Sequence, residues 1–308
     1  MKNKKDLRIV FMGTPDFAVT ALDALLRNNF KVVAVVTNID KKSGRGLKTT
    51  PSAVKQFAIE KGIPVLQPKN LKATDFIEEL KSYKADVQVV VAFRMLPIAV
   101  WDMPALGTIN IHASLLPDYR GAAPINWAIM NGETKTGITT FQLKHKIDTG
   151  DILLQTEVAI LPNENAGTLH DKLAILGGDL ISKTLETLCT GNLEAKEQTY
   201  SAKDKKAPKI FKDDCKIDWN KSSSELNNFI RGLSPYPAAY TFFDDKKVKV
   251  FASAYSPNDK EVKNGTIISD NKNYIKIACK DGWIELLEIQ VQGKKRMKVE
   301  DYLRGNRM

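Results

Sequence analysis

Three polar side chains whose types suit acid–base chemistry lie in two short stretches of the sequence. Asn110 and His112 alternate with Ile109 and Ile111, as at the end of a buried strand, and Asp148 follows in the turn Asp-Thr-Gly-Asp. Residues two apart on a strand project from the same face, which places Asn110 beside His112. An amide can donate to an oxyanion, an imidazole can move a proton, and a carboxylate can orient the imidazole. The pattern predicts that these three side chains converge on one site.

The surroundings of His112 favour a chemical role for this histidine. A single histidine is more often a buried structural residue, but His112 follows Asn110 and precedes Ser-Leu-Leu-Pro. Pro117 has no amide to donate to a ladder, so the chain leaves the strand there as a loop, where open α/β sheets place chemistry. His145 lies in a charged run and His170 lies early in a long helical pattern, and both are interpreted as non-catalytic.

The elements around these residues alternate between strand and helix. Leu7 to Met12 and Lys31 to Val36 are short apolar runs typical of buried parallel strands, and Phe17 to Asn28 between them has helical spacing. Such a unit implies a right-handed crossover, so the fold class is α/β, with a Rossmann-like, mostly parallel sheet and helices on both faces. The turn at Gly13 lacks the GxGxxG spacing and predicts a tight βα turn rather than a dinucleotide site.

The alternation stops near Gly191. A charged segment with Pro208 follows, and then short strands separated by turns such as Asn264-Gly265, which is the pattern of a small β-barrel. We therefore predict a catalytic domain over residues 1–202, a linker over 203–212 and a β-barrel domain over 213–308.

Composition fits a globular protein with a basic C-terminal third. The chain has 308 residues, of which 43% are hydrophobic and 27% charged, with a net charge of +10. From Lys203 onward there are 22 Lys and Arg against 15 Asp and Glu, which accounts for +7 of that charge. An anionic partner for this region and a merely basic soluble surface are both compatible with the asymmetry.

Several classes of protein are disfavoured by the sequence. Three widely spaced cysteines argue against a disulfide framework and a structural zinc site, and three scattered histidines give no metal-ligand pattern. No apolar run approaches the length of a membrane span, and the basic start precedes too short an apolar run for a signal peptide. We expect a cytoplasmic protein without a metal.

The segment from Thr37 to Pro51 is basic, contains two glycines and is long for a connection between a strand and a helix. It is either a solvated mobile loop or a contact to a nucleic-acid backbone through Lys41, Lys42, Arg45 and Lys48.

The motif Asn-x-His-x-Ser-Leu-Leu-Pro-x-x-Arg-Gly, followed by Asp-Thr-Gly-Asp, resembles the folate-dependent formyltransferases. These enzymes use an Asn, a His and an Asp to move a formyl group from 10-formyltetrahydrofolate to an amine, and the matching positions are Asn110, His112 and Asp148. Over the whole chain the sequence is most similar to the members whose acceptor is methionyl-tRNA. The resemblance implies a Rossmann-like domain with an OB-like barrel, folate and initiator methionyl-tRNA as partners, a role in translation initiation, and a monomer.

The resemblance also implies binding residues. The backbone of the loop after the Asn-x-His strand would hold the folate, and the loop after strand 85–93 would line the pterin pocket. Gly-Arg-Gly at 44–46 matches a loop that inserts toward the tRNA acceptor end in these relatives, which favours the functional interpretation of 37–51. Phe93-Arg94 stands where many relatives have an aromatic residue followed by Gly. The expected folate residues are Ser114, Leu115, Leu116, Pro117, Phe93 and Met95, and the expected tRNA residues are Lys41, Lys42, Arg45, Lys48, Lys206 and Lys209.

Some alternatives stay open at this point. Either His112 or Asp148 could be the working base, and Arg120 could anchor its loop or meet the substrate. A formyltransferase with another amine acceptor, such as a sugar nucleotide, would share the fold and the donor. A non-catalytic RNA-binding module is a different class of protein, but it would leave the polar triad idle and lacks the interleaved aromatic and basic residues of an RNA-recognition motif.

Overall fold

A computed structural model describes residues 3–43, 48–199, 201, 204–257 and 262–308 of the chain. Its contacts separate two compact units that interleave along the sequence. Unit 1 comprises Met1–Arg120, Gly137–Glu157 and Asp171–Lys205, and unit 2 comprises Gly121–Thr136, Val158–His170 and Lys206–Met308. The division at residues 202 and 213 expected from composition stays a prediction.

The elements up to residue 190 are mostly strands and helices in alternation, with a few strands that follow one another directly. In chain order they are β1 (Arg8–Gly13), α1 (Asp16–Arg27), β2 (Lys31–Val36), β3 (Lys41–Ser43), β4 (Lys48–Thr50), α2 (Ala53–Glu60), β5 (Val65–Leu66), α3 (Thr74–Ser82), β6 (Val87–Val91), α4 (Ile98–Trp101), β7 (Thr108–His112), β8 (Arg120–Gly121), α5 (Pro124–Met130), β9 (Lys135–Gln142), β10 (Ile152–Ala159) and α6 (Ala166–Thr190).

Seven of these strands form one sheet in the order β10-β9-β7-β6-β1-β2-β5. The five strands from β7 to β5 are parallel, and β9 runs antiparallel to β7. The central strands are almost wholly buried, which explains why they are continuous Val, Ile and Phe runs without alternation. The predicted α/β class with a mostly parallel sheet is confirmed.

The turn after β1 is so tight that Gly13 has no room for a side chain. A Cβ built at Gly13 would lie 2.6 Å from the Cβ of Ala18 and 3.1 Å from the main-chain oxygen of Val91. This close approach of strand to helix confirms the βα-turn interpretation of Gly13.

The segment from Thr37 to Pro51 contains a short antiparallel hairpin in addition to connecting residues. Lys41 pairs with Thr50, Lys42 with Thr49 and Ser43 with Lys48. The expectation of one long loop missed this hairpin, whose second strand has two β-branched threonines that favour extended backbone.

The remaining elements form a second sheet and its helices. They are β11 (Lys206–Ala207), a 3-10 turn (Asp213–Cys215), α7 (Ser223–Leu233), β12 (Ala239–Phe243), β13 (Lys246–Pro257), β14 (Ile267–Ser269), β15 (Ile275–Cys279), β16 (Gly282–Val291), β17 (Met297–Lys298) and α8 (Val299–Leu303). The sheet has the order β12-β13-β16-β15-β14, with β17 also on β16, and its pairs are antiparallel. Its end strands β12 and β14 do not pair with each other within the described residues, so the predicted small barrel is a half-barrel sheet.

A single apolar cluster joins this sheet to α7. Leu226, Ile230 and Leu233 on one face of the helix pack with strand residues such as Val250 and Leu286. Helix α7 begins at a capping box in which Ser222 and Glu225 exchange side-chain and main-chain hydrogen bonds.

Candidate active site

Strand β7 places Asn110 and His112 on one face near its carboxyl end. Asn110 lies opposite Val90 of β6 and Phe141 of β9, and His112 lies opposite Thr139 of β9. Asn110 is half-buried, whereas His112 is 7% exposed. Pairing with β9 therefore fixes the backbone of both residues, β6 also pairs with Asn110, and the alternation of the strand places the two side chains on one face.

The two ring nitrogens of His112 face different groups. Nε2 lies 2.8 Å from the main-chain oxygen of Tyr119, and Nδ1 lies 3.9 Å from Oδ2 of Asp148. Because a carbonyl oxygen only accepts, Nε2 must carry a proton, and Nδ1 is left as the nitrogen that gains or loses one. The separation of 3.9 Å is longer than a hydrogen bond, so the imidazole and the carboxylate face each other as an ion pair when His112 is protonated. The Phe141 ring meets the imidazole edge-on, with ring centres 6.5 Å apart.

Asp148 lies in a turn with an unusual backbone. Its φ is +53°, in the left-handed region that most side chains avoid and that Asp tolerates better than most. Two residues later, a Cβ at Gly150 would lie 1.5 Å from the main-chain oxygen of Gln142, so only glycine fits there. The Asp-Thr-Gly-Asp motif thus supplies both the carboxylate and the residue that lets the turn pack against β9.

Two side chains distant in sequence hold this turn. The main-chain oxygen of Asp148 accepts hydrogen bonds from Nε of Arg120 and from Nε2 of Gln198, both at 3.0 Å. The Arg120 guanidinium also donates to Oε1 of Gln198 and lies 3.5 Å from a carboxylate oxygen of Asp204. Of the two interpretations of Arg120, these contacts favour an anchor.

The loop after β7 is fixed by hydrogen bonds from β9 and β10. Thr139 Oγ1 accepts from the Leu116 amide at 3.1 Å and donates to the Ser114 main-chain oxygen at 2.7 Å. Gln155 Nε2 donates to the Leu116 main-chain oxygen at 2.9 Å, and the Leu116–Pro117 peptide is cis. These hydrogen bonds fix the shape of the loop, and binding of folate by Ser114, Leu115, Leu116 and Pro117 stays a prediction.

The loop after β6 begins at the same edge of the sheet. Phe93 is half-buried against a core cluster, and Met95 is 75% exposed. The Arg94 guanidinium donates to the main-chain oxygens of Lys69, at 3.1 Å, and of Pro68. Burial lowers the pKa of this guanidinium from its usual value. Arg94 therefore ties the loop that carries the two predicted pterin residues to the segment after β5.

Most of the residues predicted to contact tRNA lie on or near short strands. Lys41 is exposed on β3, Lys42 and Lys48 are strand residues of the hairpin, and Arg45 lies outside the described residues. Lys206 is exposed on β11, and Nζ of the exposed Lys209 lies 5.2 Å from the ring centre of Phe211. Their contact with RNA stays a prediction.

Other groups singled out in the sequence form no site in the part of the chain that the structure covers. No group of three or more His, Cys, Asp or Glu side chains there is arranged to hold a metal ion. Cys189, Cys215 and Cys279 are free thiols, and His145 is exposed. No helix among the described residues is long and apolar enough to cross a membrane.

Spacing predicted a site of Asn110, His112 and Asp148, and it gave no indication of the residues that hydrogen-bond to the segments carrying them. Thr139, Gln155 and Gln198 are single polar residues without a motif, and they reach the site through hydrogen bonds to main-chain groups 23 to 50 residues away in sequence. Thr139 lies on β9 and Gln155 on β10, both strands with several polar residues, so nothing in the sequence sets these two apart.

Comparison with known proteins gives matches over both parts of the chain. The family described as formyl transferase matches residues 7–185, and the formyl transferase C-terminal domain matches residues 209–307. The methionyl-tRNA formyltransferase of Flavobacterium johnsoniae is 53% identical over 303 residues, covering 97% of this chain and 96% of the relative.

Solved structures with low sequence identity have the same fold. HypX from Aquifex aeolicus, in complex with tetrahydrofolic acid, matches with a TM-score of 0.66 and 18% identity, over 96% of this chain and 46% of that one. An N-formyltransferase from Helicobacter canadensis, in complex with folinic acid and dTDP-3-aminofucose, matches with a TM-score of 0.65 and 20% identity, over 94% of this chain and 99% of that one.

Proposed function

The chain belongs to the formyl transferase family, and from this premise we propose that it transfers a formyl group from 10-formyltetrahydrofolate to the amino group of methionyl-tRNA. The observation that carries the proposal is the 53% identity, over nearly the whole of both chains, to a methionyl-tRNA formyltransferase. The product is N-formylmethionyl-tRNA, and the acceptor is initiator tRNA used in translation initiation.

The reaction asks three things of the protein. The amine must attack as its neutral form, the formyl carbon must be held within reach, and the tetrahedral oxyanion must be stabilised. A new bond forms between the methionyl nitrogen and the formyl carbon, the bond from that carbon to N10 of the folate breaks, and the amine proton ends on N10. We assign to Asn110 the role of hydrogen-bond donor to the oxyanion. Its side-chain amide projects from β7 on the same face as His112.

We assign the proton transfer to Nδ1 of His112. Its other nitrogen, Nε2, is already bound to the Tyr119 carbonyl oxygen, which fixes the ring orientation and leaves Nδ1 facing Asp148. The Asp148 carboxylate at 3.9 Å stabilises the imidazolium that forms when Nδ1 takes a proton. In this assignment Asp148 supports the base, and His112 is the base.

The tRNA acceptor is supported by charge as well as by the relative. The C-terminal third carries +7 of the +10 net charge, and the hairpin β3–β4 includes Lys41, Lys42 and Lys48. The match to a protein bound to an amino-sugar nucleotide, at 20% identity, indicates the fold and carries no argument for that acceptor. We propose that Lys41, Lys42, Arg45, Lys48, Lys206 and Lys209 contact tRNA and that the enzyme acts as a monomer in the cytoplasm.

The test is a panel of amine acceptors. The protein is incubated with 10-formyltetrahydrofolate labelled in the formyl group and with methionyl-tRNA, free methionine or a dTDP-amino sugar in separate reactions. We expect label in methionyl-tRNA, with transfer to the other two amines lower by orders of magnitude. Equal or faster labelling of the amino sugar would contradict the proposed acceptor, and no labelling of any amine by folded protein would contradict the proposed reaction.

A further inference from the structure

Gln198 is a buried polar residue that no motif predicts. It follows α6 in a segment without regular structure, and its side chain and main chain together are 3% exposed. A buried amide costs free energy unless its hydrogen-bonding groups find partners, so the partners of this amide indicate why it is there.

Those partners all belong to the turn of Asp148 or to its anchor. Nε2 donates to the main-chain oxygens of Asp148, at 3.0 Å, and of Gly150, at 2.6 Å. Oε1 accepts from Nε of Arg120 at 3.1 Å and from a second nitrogen of the same guanidinium. The amide nitrogen and the amide oxygen of Gln198 therefore form all these hydrogen bonds with the Asp148 turn and with Arg120, which anchors it.

This arrangement fixes where the Asp148 carboxylate points. Asp148 has a left-handed backbone, which a residue with a side chain adopts at a cost in free energy, so the turn needs support from outside itself. Within the turn the Thr149 hydroxyl donates to the main-chain oxygen of Lys146 at 3.0 Å, whereas Ile147 is 65% exposed and adds little packing. Holding the main-chain oxygens on both sides of Thr149 fixes the Cα–Cβ direction of Asp148, from which its carboxylate lies 3.9 Å from Nδ1 of His112.

The chemistry of an amide suits this position better than a charged group. A lysine here could donate to the carbonyl oxygens, but it could not accept from Arg120, whose guanidinium carries the same charge. A carboxylate would oppose the two carbonyl oxygens that need donors. The amide donates in one direction and accepts from Arg120 in the other, and Arg120 is in turn 3.5 Å from Asp204.

We propose that Gln198 is a positioning residue for formyl transfer, which acts by holding the Asp148 turn so that its carboxylate faces His112. The proposal rests on the proposed function, because it takes Asp148 to be part of the working site. It differs from that function in naming a residue that touches neither substrate nor His112 and acts only through the main chain of 148–150.

The experiment uses the full-length chain with two substitutions that keep the volume of the side chain. Gln198→Glu retains the acceptor for Arg120 and removes the donors to Asp148 and Gly150, and Gln198→Met removes both. Each is compared with Asp148→Ala, with the corresponding double variants, and with Asn28→Ala as a matched control. The side-chain amide of Asn28 donates to the main-chain oxygen of Ala24 and to the hydroxyl of Ser182, so it joins the end of α1 to α6.

We expect both Gln198 variants to lower kcat by about 10- to 100-fold, since small displacements of a catalytic group have effects of this size. The KM values for the formyl donor and for methionyl-tRNA should stay within about twofold. In the Asp148→Ala background the same substitutions should lower kcat no further, because the group they position is gone. Asn28→Ala should leave kcat unchanged even where it lowers the melting temperature.

The outcomes separate this inference from the proposed function. If Asp148→Ala keeps normal turnover, the assignment of Asp148 fails and the role of Gln198 fails with it. If Asp148→Ala loses turnover while a folded Gln198→Glu or Gln198→Met keeps it, only the inference is overturned. A loss of kcat that is equally large with and without Asp148 would show a general structural effect and would also overturn it.

Discussion

The imidazole of His112 has a hydrogen-bond partner at one ring nitrogen and a facing carboxylate at the other. Its Nε2 proton points at the Tyr119 carbonyl oxygen, and its Nδ1 faces the carboxylate of Asp148. Because β6 and β9 flank β7 and fix its backbone, Asn110 and His112 need no ligand to acquire their relative position. The site is therefore preorganised at the level of the strand, which is the condition under which a donor to an oxyanion contributes most.

Substitution of either side chain should remove a contribution to the transition state without unfolding the sheet. We expect Asn110→Ala and His112→Ala each to lower kcat by about 10²- to 10³-fold, the size commonly found for a lost oxyanion donor. Melting temperatures should change little for Asn110→Ala, since its side chain is half-buried. Steady-state transfer to methionyl-tRNA measures the effect, and near-normal kcat in both variants would refute the assignment.

The candidate residues Asn110, His112 and Asp148 could be proposed from the sequence because their types and spacing are unusual. A purely structural strand and turn do not require an Asn and a His two apart followed by Asp-Thr-Gly-Asp. The positions of Thr139, Gln155 and Gln198 could not be predicted, because each acts through a hydrogen bond to main-chain atoms of a distant segment. Such a bond needs only one polar side chain and leaves no periodic pattern in the sequence.

At the scale of elements, side-chain hydrogen bonds hold the base of the β3–β4 hairpin on both sides. Asp40, just before β3, accepts from Nζ of Lys55 and from Nε2 of Gln67, both at 2.7 Å. The hydrogen bond from Lys55 is the main reason that the pKa of Asp40 lies below its usual value. Thr37 and Ser52 join the two ends of the segment through their hydroxyl groups, 2.8 Å apart.

These hydrogen bonds should affect turnover of the methionyl-tRNA acceptor and should not affect binding of the formyl donor. If the hairpin sets the amine against the formyl carbon, Asp40→Ala should lower kcat for methionyl-tRNA by about tenfold and leave the donor KM unchanged. Asp23→Ala is the matched control, because Asp23 forms an ion pair with Arg27 on the surface of α1. Equal kcat in the two variants would contradict a role of the hairpin in placing the acceptor.

The start of α7 depends on a carboxylate from another element. Oδ1 of Asp281, between β15 and β16, accepts from the Ser223 amide at 2.6 Å, and this hydrogen bond is the main cause of the lowered pKa of Asp281. A folded-state pKa below the unfolded value of about 3.9 means that the stabilisation is present above that pH and is lost as the pH falls through the folded pKa.

We therefore expect the stability contribution of Asp281 to depend on pH in the acid range. Asp281→Asn should lower the free energy of unfolding by about 0.5–1 kcal/mol at neutral pH, as for a charge at a helix N-terminus. The difference from wild type should shrink below about pH 4, where the carboxylate takes up a proton in the unfolded chain and then in the folded one. Denaturant unfolding at several pH values measures this, with Asp179→Asn on the exposed face of α6 as control. A difference that grows on acidification would refute it.

The long elements were predicted, whereas several of the shortest were not. The buried strands and α6 have enough apolar residues to define a period, whereas α4, β17 and the two hairpin strands span two to four residues each. Elements of that length are stabilised by their neighbours rather than by their own sequence, so local propensity carries little information about them.

At the scale of the whole molecule, each of the two units is built from three separate stretches of the chain. Within unit 2, Asn126 of α5 donates to the main-chain oxygen of Gly232, and the Trp127 indole donates to that of Pro208, at 2.7 Å and 2.8 Å. A chain ending near residue 202 would leave α5 without these partners, so loss of activity in such a truncation would not identify an RNA contact. Point substitutions on the C-terminal sheet avoid this difficulty.

The C-terminal basic residues should control binding of tRNA through its phosphates. Lys246, Lys294 and Lys295 are exposed, and Lys247 lies with its Nζ 3.3 Å from the ring centre of Tyr240. Neutralising a phosphate releases counterions, so the affinity for methionyl-tRNA should fall steeply with salt. Each Lys→Gln change at a residue that contacts a phosphate should reduce the slope of log K against log salt by about 1, with kcat at saturating tRNA unchanged.

The control variant must lose one positive charge at a site outside the C-terminal sheet. Lys81→Gln on α3, an exposed lysine of unit 1 outside the proposed RNA contacts, serves that purpose. Binding is measured by fluorescence anisotropy of labelled methionyl-tRNA between about 50 and 200 mM salt, the range over which several phosphate contacts change affinity by orders of magnitude. Phosphate contacts position the tRNA without reading its sequence. The same loss of affinity should therefore appear with tRNA that carries no methionine. If the Lys246, Lys247, Lys294 and Lys295 variants all show the same slope as wild type and the Lys81 variant, these four lysines have no part in holding tRNA.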